Sequence, residues 1–522
     1  MRIGIRRWWC QCYTIPKNSL PSPLYYHTQT KPHSINNTLL KELVQTGQFI
    51  QALEYYTKHW NTSNFRPDNY TFPYILKAST QLKDPTLGLL IHNIAIKTGF
   101  GSNLFVSNSL ILFYGKFGKL EYISYLFDEM PQRNIVTWTA AISALLQNYE
   151  YYQAVRFFRD MLVAGIKPNS FTMATILPCF CYMEGSIQIH GFLIKHGFES
   201  DVFVLTALID VYAKCGFIFS AQQVFNEMPE RNVVSWNAMI LGYNQNGEAG
   251  VSLRLFSKMR NSGDIQPDSF SVVTALNSCS SLTALRCGEE IHCYTYKVGV
   301  NSTVFVGNGL IDMYGKCGVQ ENAAQVFYGM QERDVSSWTT LITCYGMHGH
   351  GTKAVSLFEE MKQTRSITPN SVTITAVLTA CSHSGLVQDG LRYFEAMTNE
   401  FDIEPVMKHY ACIVDLLGRA GFLEEALRFI NKMPIQGDAR LWETLLGAAT
   451  IQGDRTVIGM SATSLIKLQP ENAELVIQLA NIHANFGLWE DVAKAREMTQ
   501  SRKISKNRGV SYVMNFKESW PP

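Results

Sequence analysis

The chain has 522 residues, of which 46% are apolar and 17% charged, and its formal net charge is +2. No run of 18 or more uncharged apolar residues occurs, so the sequence predicts no transmembrane helix and no membrane insertion. Beyond residue 41 the chain carries 39 basic and 43 acidic residues, which argues against a general polyanion-binding surface. Any binding of nucleic acid would therefore depend on positioned contacts.

The N-terminal segment contains no acidic residue before Glu42 and carries three arginines among its first seven residues. Serine, threonine and proline follow instead of a continuous apolar core, which is typical of organelle transit peptides. We predict that residues 1–32 are a transit peptide or a disordered segment. The early arginines favour a mitochondrial over a chloroplast address, and a basic tail without a targeting role is the alternative.

The segment that follows repeats itself about every hundred residues. Trp138, Trp236 and Trp338 stand at matching points, in step with the segments DEMPQRN, NEMPERN and YGMQERD. Such a period, with finer repeats inside it, indicates an array of small units that stack on one another. We predict about twelve units over residues 33–438, beginning at residues 33, 69, 104, 135, 170, 202, 233, 269, 304, 335, 371 and 407.

Apolar residues within each unit have helical spacing. Trp236, Met239, Ile240 and Tyr243 fall at i, i+3, i+4 and i+7, and a glycine such as Gly247 then separates this stripe from a second one. Each unit is therefore a helical hairpin whose helices are too short to be stable alone. The predicted fold class is all-α, a right-handed α-solenoid of stacked helical hairpins.

Twelve cysteines raise the question of a metal site, but no C-x-x-C pair occurs. Cys215 and Cys317 share one repeat position with Phe117, which indicates packing positions and thiols in a reducing compartment. His92, His190 and His292 also share one repeat position and should lie too far apart to bind one metal ion. We predict no metal and no cofactor.

Two positions of the unit are restricted to short polar residues. The fifth residue is Asn or Thr, and the last residue is Asn or Asp. The pairs are Asn37 with Asp68, Asn108 with Asn134, Thr139 with Asn169, Thr206 with Asn232, Asn237 with Asp268, Asn308 with Asp334, and Thr339 with Asn370. A protein-binding helical repeat does not need this restriction, whereas a reader of one base per repeat does. Helix capping is an alternative role for the last residues.

The segments VVSWNAMILGYNQNG, IHGFLIKHGF and HYACIVDLLGRAGFLEEA resemble the plant pentatricopeptide repeat family, in its variant with alternating standard, long and short repeats. The resemblance covers residues 33–513 and implies binding of single-stranded organelle RNA, read by the fifth and last residues. Asn with Asp implies U, Asn with Asn implies C or other pyrimidines, and Thr with Asn implies A. The implied target is 5′-U-n-C-A-n-A-U-n-U-A-n-n-3′, where the long units with Pro73, Ala174 and Val273 are left unread.

Residues 439–508 form two predicted hairpins that are similar to the E-type extension of organelle RNA-editing factors, and residues 509–522 form a short tail. The chain has neither H-x-E nor C-x-x-C, so it lacks the zinc motif of the associated deaminase domain, and we predict no enzyme activity. The resemblance implies site recognition for C-to-U editing with a deaminase-bearing partner in trans. Transcript stabilisation, splicing or translation is the first alternative, and a protein-binding scaffold is a remote one.

Overall fold

The computed structural model describes residues 37–469 except 61–66, 182, 365 and 366, together with the isolated positions 472, 481, 482 and 484. The predicted transit peptide, most of the hairpin 473–508 and the tail 509–522 lie outside the described residues. All regular secondary structure that is described is helical. The chain divides into two compact halves, residues 1–266 and 267–522.

The N-terminal half contains α1 (Asn37–Gln45), α2 (Phe49–Trp60), α3 (Thr71–Gln81), α4 (Pro85–Lys97), α5 (Leu104–Lys116), α6 (Leu120–Glu129), α7 (Ile135–Gln147), α8 (Tyr151–Val163), α9 (Ser170–Ile176), α10 (Met183–Lys195), α11 (Val202–Lys214), α12 (Ile218–Glu227), α13 (Val233–Gln245) and α14 (Ala249–Ser262). The C-terminal half contains α15 (Ser269–Leu282), α16 (Leu285–Val298), α17 (Val304–Lys316), α18 (Gln320–Gly329), α19 (Val335–Met347), α20 (Gly351–Gln363), α21 (Ser371–Ser384), α22 (Val387–Asn399), α23 (Met407–Arg419), α24 (Leu423–Lys432), α25 (Ala439–Gln452) and α26 (Arg455–Leu468).

The hairpin units are confirmed. From residue 104 onward, the first helix of every unit begins at the residue predicted for it. Within each half, the first helix packs against the first helix of the next unit and, except in the unit of residues 170–201, against the second helix of its own unit, as in α5 with α7 and α6. The first helices thus form a continuous row in each half, and this row carries the fifth residues.

Glycine ends many of the first helices because the chain must turn there with positive φ. At the end of α11, Gly216 has a φ of 81°, and the following Phe217 N–H donates to the carbonyl of Tyr212 at 2.8 Å. This is the left-handed cap that glycine adopts without steric cost. The predicted role of Gly247, which has a φ of 80°, is confirmed in the same way.

Small residues let neighbouring first helices approach closely. A Cβ on Gly115 of α5 would lie 2.6 Å from the Cβ of Ala144 in α7. A Cβ on Gly346 of α19 would lie 2.8 Å from the Cβ of Ala380 in α21. The spacing of the stack at these two contacts therefore depends on the absence of a side chain on one helix.

The repeated tryptophans and the segments before them form one packing motif. Trp236 packs edge-on against Phe225, with ring centroids 4.9 Å apart, and Trp138 and Trp338 repeat this contact with Phe127 and Phe327. The arginine that precedes the unit-ending residue lies over the same phenylalanine and donates to its carbonyl oxygen. For Arg231 the distance is 2.9 Å to Phe225 O. The hundred-residue repetition of these residues is thus explained by packing between units.

The unit of residues 170–201 departs from the regular hairpin. Its first helix, α9, ends at Ile176 and continues as one 3₁₀ turn, Leu177–Phe180, in which Pro178 cannot donate a backbone hydrogen bond. Cys181 at the end of this turn forms a disulfide with Cys215, and their Cα atoms are 5.4 Å apart. The expectation that the cysteines are thiols is therefore wrong for this pair, because the two unit positions are brought together by the stacking of α9 and α11.

The other described cysteines are free, and Cys279, Cys344 and Cys381 are buried. Burial raises the pKa of the Cys279 and Cys381 thiols to about 12, so these side chains act as small apolar residues. Among the described residues, no helix is long and apolar enough to cross a membrane.

Candidate nucleic-acid interface

In each half, the structure places the fifth and last residues of the units at or near the N-terminal ends of that half's first helices. Each fifth residue of these pairs after Asn37 lies in the second turn of a first helix. Each last residue immediately precedes the next first helix, except Asp68, which lies three residues before Thr71 at the start of α3. The fifth residues are buried or half-buried, whereas Asn169, Asn232, Asp268, Asp334 and Asn370 are exposed. Most of these pairs therefore combine an inner polar group with an outer one.

Six of the seven last residues are the N-cap of the helix that follows, and Asp68, just before α3, makes the same hydrogen bond to the first turn. In each, Oδ1 accepts a hydrogen bond from the backbone N–H three residues later, at distances between 2.8 and 3.0 Å: Asp68, Asn134, Asn169, Asn232, Asp268, Asp334 and Asn370. The capping role that was an alternative interpretation of these residues is thus present. Because Asn and Asp cap about equally well, capping does not explain which of the two stands in a given unit.

Two Asn–Asp pairs meet directly. Asn37 Nδ2 donates to Asp68 Oδ2 at 2.7 Å, and Asn308 Nδ2 donates to Asp334 Oδ1 at 3.2 Å. Burial opposes the charge of each carboxylate, but the hydrogen bonds from Thr71, Asn37 and Tyr70 outweigh it and lower the pKa of Asp68. Hydrogen bonds from Ser337 and Asn308 likewise lower the pKa of Asp334. Both carboxylates are therefore ionised at neutral pH and can only accept hydrogen bonds.

Two Thr–Asn pairs are joined through a third residue. The hydroxyl of Thr139 lies 2.7 Å from that of Thr172, which is 2.9 Å from Asn169 Oδ1. The hydroxyl of Thr339 lies 2.8 Å from that of Thr373, which is 3.1 Å from Asn370 Oδ1. The bridging threonine is in each case the third residue of the next unit.

Three pairs remain: Asn108 with Asn134, Thr206 with Asn232, and Asn237 with Asp268. Asn108 is buried, and its Oδ1 has no hydrogen-bond partner, like the Oδ1 of Asn308. The Thr206 hydroxyl donates to the carbonyl of Val202 in its own helix at 2.6 Å. Asn237 is buried in α13 of the N-terminal half, and Asp268 caps α15 of the C-terminal half.

The second residue of the unit was missed by the sequence reasoning. It is apolar and 42–61% exposed in most first helices: Tyr70, Phe105, Val136, Phe171, Phe203, Val234, Phe270, Phe305 and Val372. The rings of Tyr70 and Phe105, in consecutive units, have centroids 5.7 Å apart. The signal in the sequence was a bulky apolar residue that recurs at position 2 of the unit. This position lies outside the buried stripe, which occupies positions 4, 7, 8 and 11. Exposed aromatic and aliphatic side chains beside polar groups are what unstacked bases need.

The three unread long units have no polar group at the fifth position, where Pro73 and Ala174 are half-buried and Val273 is buried. Basic residues at the C-terminal ends of three first helices form ion pairs within their own helix. Lys214, Lys316 and Arg419 lie 2.6, 2.8 and 2.9 Å from an aspartate one turn earlier. These pairs reduce the positive charge that the row of first helices offers to a polyanion.

The three equivalent histidines each contact a tyrosine of the next unit. His92, His190 and His292 place Nδ1 at 2.7, 3.1 and 2.9 Å from the hydroxyl of Tyr114, Tyr212 and Tyr314. Within the described part of the chain, no group of three His, Cys, Asp or Glu side chains could hold a metal ion. The histidines therefore belong to the contacts between units.

Comparison with known proteins identifies this arrangement. Models described as PPR repeat family and PPR repeat match residues 133–182 and 333–383, and residues 105–135, 203–233, 234–264, 372–400 and 409–437. The Arabidopsis thaliana protein named putative pentatricopeptide repeat-containing protein At3g11460, mitochondrial, is 36% identical over 482 residues, which cover 91% of this chain and 77% of that protein. The chain belongs to the pentatricopeptide repeat family.

Other relatives of this pentatricopeptide repeat protein are longer. Pentatricopeptide repeat-containing protein At3g57430, chloroplastic, also from Arabidopsis thaliana, is 36% identical over 494 residues, and the match covers 91% of this chain but only 55% of that protein. An E motif model matches residues 457–514, beginning within α26.

The fold of this pentatricopeptide repeat protein is similar to a solved structure. The crystal structure of the pentatricopeptide repeat protein PPR10 in complex with an 18-nt psaJ RNA element matches with a TM-score of 0.59 and 17% identity. The match covers 90% of this chain and 73% of that one. The predicted α-solenoid class is thereby confirmed.

Proposed function

We propose that this protein binds single-stranded RNA in a plant organelle and selects one base with the fifth and last residues of each standard and short unit. The observation that carries the proposal is the direct contact between these residues, as in Asn37 with Asp68 and Asn308 with Asp334. Exposed apolar second residues beside them supply surfaces for stacking of bases. The PPR10 complex with RNA supports this use of the fold.

The helix caps give a physical reason for the choice of base. Because Oδ1 of each last residue accepts a backbone N–H, the other terminal atom is directed to the RNA. That atom is an N–H donor in Asn134 or Asn169 and a carboxylate acceptor in Asp68 or Asp334. A carboxylate suits the N3–H donor of uracil, whereas an amide donor suits N1 of adenine or N3 of cytosine. With the base assignments that the family resemblance implies, the proposed target is 5′-U-n-C-A-n-A-U-n-U-A-n-n-3′.

We propose that the bound transcript is a substrate for C-to-U editing. The E motif, together with units of alternating length, supports membership of the subfamily with standard, long and short repeats and an E-type extension. The hairpin formed by α25 and α26 would begin the surface that recruits a deaminase-bearing partner in trans. The relatives named mitochondrial and chloroplastic support an organelle address, and the arginine-bearing N-terminus favours the mitochondrion.

The second candidate is stabilisation, splicing or translation of an organelle transcript without editing. It requires the same RNA contacts and does not use the E motif. A scaffold that binds only proteins is the remaining alternative, and it leaves the paired Asn, Thr and Asp residues without a role beyond capping.

Two measurements test these proposals. The full chain should bind a 12-nucleotide RNA with the proposed order more tightly than an RNA in which the seven read bases are exchanged, because each good contact contributes about 1–3 kcal/mol. Equal affinity for the two RNAs contradicts base selection. In a plant that lacks the protein, one or a few cytidines downstream of a matching sequence should stay unedited. Normal editing with loss of a transcript end or an intron removal supports the second candidate instead.

A further inference from the structure

The third residue of the following unit lies between the fifth residue and the helix cap. In three units it is a threonine whose hydroxyl bonds the fifth residue: Thr71 to Asn37 at 3.2 Å, Thr172 to Thr139 at 2.7 Å, and Thr373 to Thr339 at 2.8 Å. All three threonines are fully buried. A buried hydroxyl that touches both selecting residues is placed to control how the fifth residue points.

In two other units, the third-residue hydroxyl bonds the capping residue but not the preceding fifth residue. The hydroxyl of Thr137 bonds Asn134 Oδ1 at 3.1 Å, and that of Ser337 bonds Asp334 Oδ1 at 2.9 Å. The fifth residues that precede them, Asn108 and Asn308, leave Oδ1 without a hydrogen-bond partner. The link to the fifth residue is thus separable from the cap.

The link fixes the hydroxyl proton of a threonine at the fifth position. Thr139 Oγ1 lies 2.8 Å from the carbonyl of Ile135 and 2.7 Å from Thr172 Oγ1. A hydroxyl carries one proton, so Thr139 donates either to Ile135 O or to Thr172. In both cases the proton points into the protein, and Thr139 can only accept a hydrogen bond from a base. An exocyclic amino group of adenine satisfies this demand, and O4 of uracil does not.

We propose that Thr172 and Thr373 are positioning residues that make the preceding fifth residue, Thr139 or Thr339, a hydrogen-bond acceptor and so favour adenine over uracil. This inference rests on the proposed base selection by the fifth and last residues. Removing the third-residue hydroxyl takes away one of the two acceptors for this proton and leaves the carbonyl of Ile135 or Val335, so the fifth-residue hydroxyl turns towards uracil O4 more readily. The third residue then becomes a further determinant of specificity in the units that carry the link.

The test uses Thr172→Val and Thr373→Val in the full chain, with Thr137→Val as the matched control. Binding is measured to the 12-nucleotide RNA and to versions with A-to-U changes at its fourth or tenth base. Each test variant should lose about 3- to 10-fold of the A-over-U preference at its own base only, as expected for one hydrogen bond. Thr137→Val removes an equivalent cap contact and should leave selectivity at every base unchanged.

The outcomes separate the inference from the proposed function. If the wild-type chain has no preference between A and U, base selection itself is contradicted. If the wild type prefers A and Thr172→Val weakens binding to both RNAs equally, the hydroxyl only supports the helix cap and the inference fails. If Thr137→Val alters selectivity at the third base as strongly as Thr172→Val does at the fourth, the effect arises from the lost cap contact and not from the fifth residue. Thermal unfolding of the three variants verifies that they fold alike.

Discussion

The pairs that end in Asp and the pairs that end in Asn differ in one terminal atom of the last residue. Asp334 caps α19 through Oδ1, and Asn370 caps α21 in the same way. The caps are interchangeable in energy, whereas the outward groups have opposite hydrogen-bonding character. Selectivity and folding are therefore carried by different atoms of one side chain.

Asp334→Asn should change base preference without changing stability. The amide oxygen can replace the carboxylate in the cap on Ser337 N, and the amide nitrogen then offers a donor to the RNA. We expect preference at the ninth base of the target to move from U towards C. Competition binding with the two RNAs measures the shift.

Asp334→Ala serves as the control, because it removes the cap and should cost about 1 kcal/mol of folding free energy. An Asp334→Asn variant that keeps the full preference for U would contradict the role assigned to this side chain.

Phe305→Ala should weaken binding at one base without changing which base is preferred. The side chain is half exposed at the second position of α17, so its removal costs little in folding. Loss of one stacking surface should reduce RNA affinity roughly 5-fold or more. Phe219→Ala in the second helix α12 is the control, because that ring is 85% exposed and lies away from the first helices. Equal effects of the two variants would argue against stacking at the second position.

At the scale of the helix, contact between first helices limits side-chain size. Gly115→Ala should lower the free energy of unfolding by about 1–3 kcal/mol, because the added methyl meets Ala144 on the next first helix at 2.6 Å. Gly191→Ala in α10 should instead be neutral or stabilising by about 0.5–1 kcal/mol, since nothing lies within 4 Å of that Cβ. Chemical denaturation of the two variants compares them, and an equal effect would contradict the close approach.

The histidine–tyrosine contacts between units predict acid sensitivity. Burial lowers the pKa of His92, His190 and His292 below the ordinary value of about 6.5. The unfolded chain therefore binds protons first, so the contribution of the neutral histidines is complete above about pH 6.5 and decreases as the pH falls below it. The melting temperature should be constant from pH 7 to 8 and fall below pH 6.5.

A variant with all three histidines changed to Asn keeps a polar group near the position of Nδ1 and cannot titrate. It should lose less stability than the wild type between pH 7 and 5.5. An equal loss would assign the acid sensitivity to carboxylates instead.

The helical pattern of the sequence was sufficient to predict the hairpins and, from residue 104 onward, the first residue of each first helix, because buried apolar stripes and short polar caps are both local signals. It did not predict that the first helix of residues 170–201 would break at Pro178, or that Cys181 would reach Cys215. The second-position residues, such as Val234 and Phe305, were also missed, since an exposed apolar side chain has no periodic partner within its own helix. The repeats alone revealed the restricted fifth and last positions, the base assigned to each pair came from the family resemblance, and the hydrogen bonds through Thr172 and Thr373 needed coordinates.

At the scale of the described molecule, three first helices carry a basic residue that is paired with an aspartate of the same helix. Lys316 is held 2.8 Å from Asp312, and Arg419 and Lys214 have similar partners. Because these three cations are already paired, their contribution to phosphate binding is reduced, and binding that depends on positioned contacts should change only modestly with salt.

Asp312→Asn should release Lys316 and strengthen binding to RNA of any sequence. Each additional phosphate contact steepens the dependence of log affinity on log salt concentration by about 0.7 for a single strand. Titrations at several salt concentrations measure this slope. Asp160→Asn breaks an equivalent pair with Arg156 in the second helix α8 and should leave the slope unchanged. If the Asp312 variant has the wild-type slope, Lys316 does not contact the RNA backbone.

The equivalence of Asn and Asp as helix caps has a consequence for how such a protein changes over generations. The codons for these two amino acids differ only in their first nucleotide, so one point mutation converts one into the other. Because the cap survives the exchange, the encoded protein would still fold while recognising a different nucleotide in its transcript. A duplicated gene can thus acquire a new target through single steps that selection for folding does not oppose.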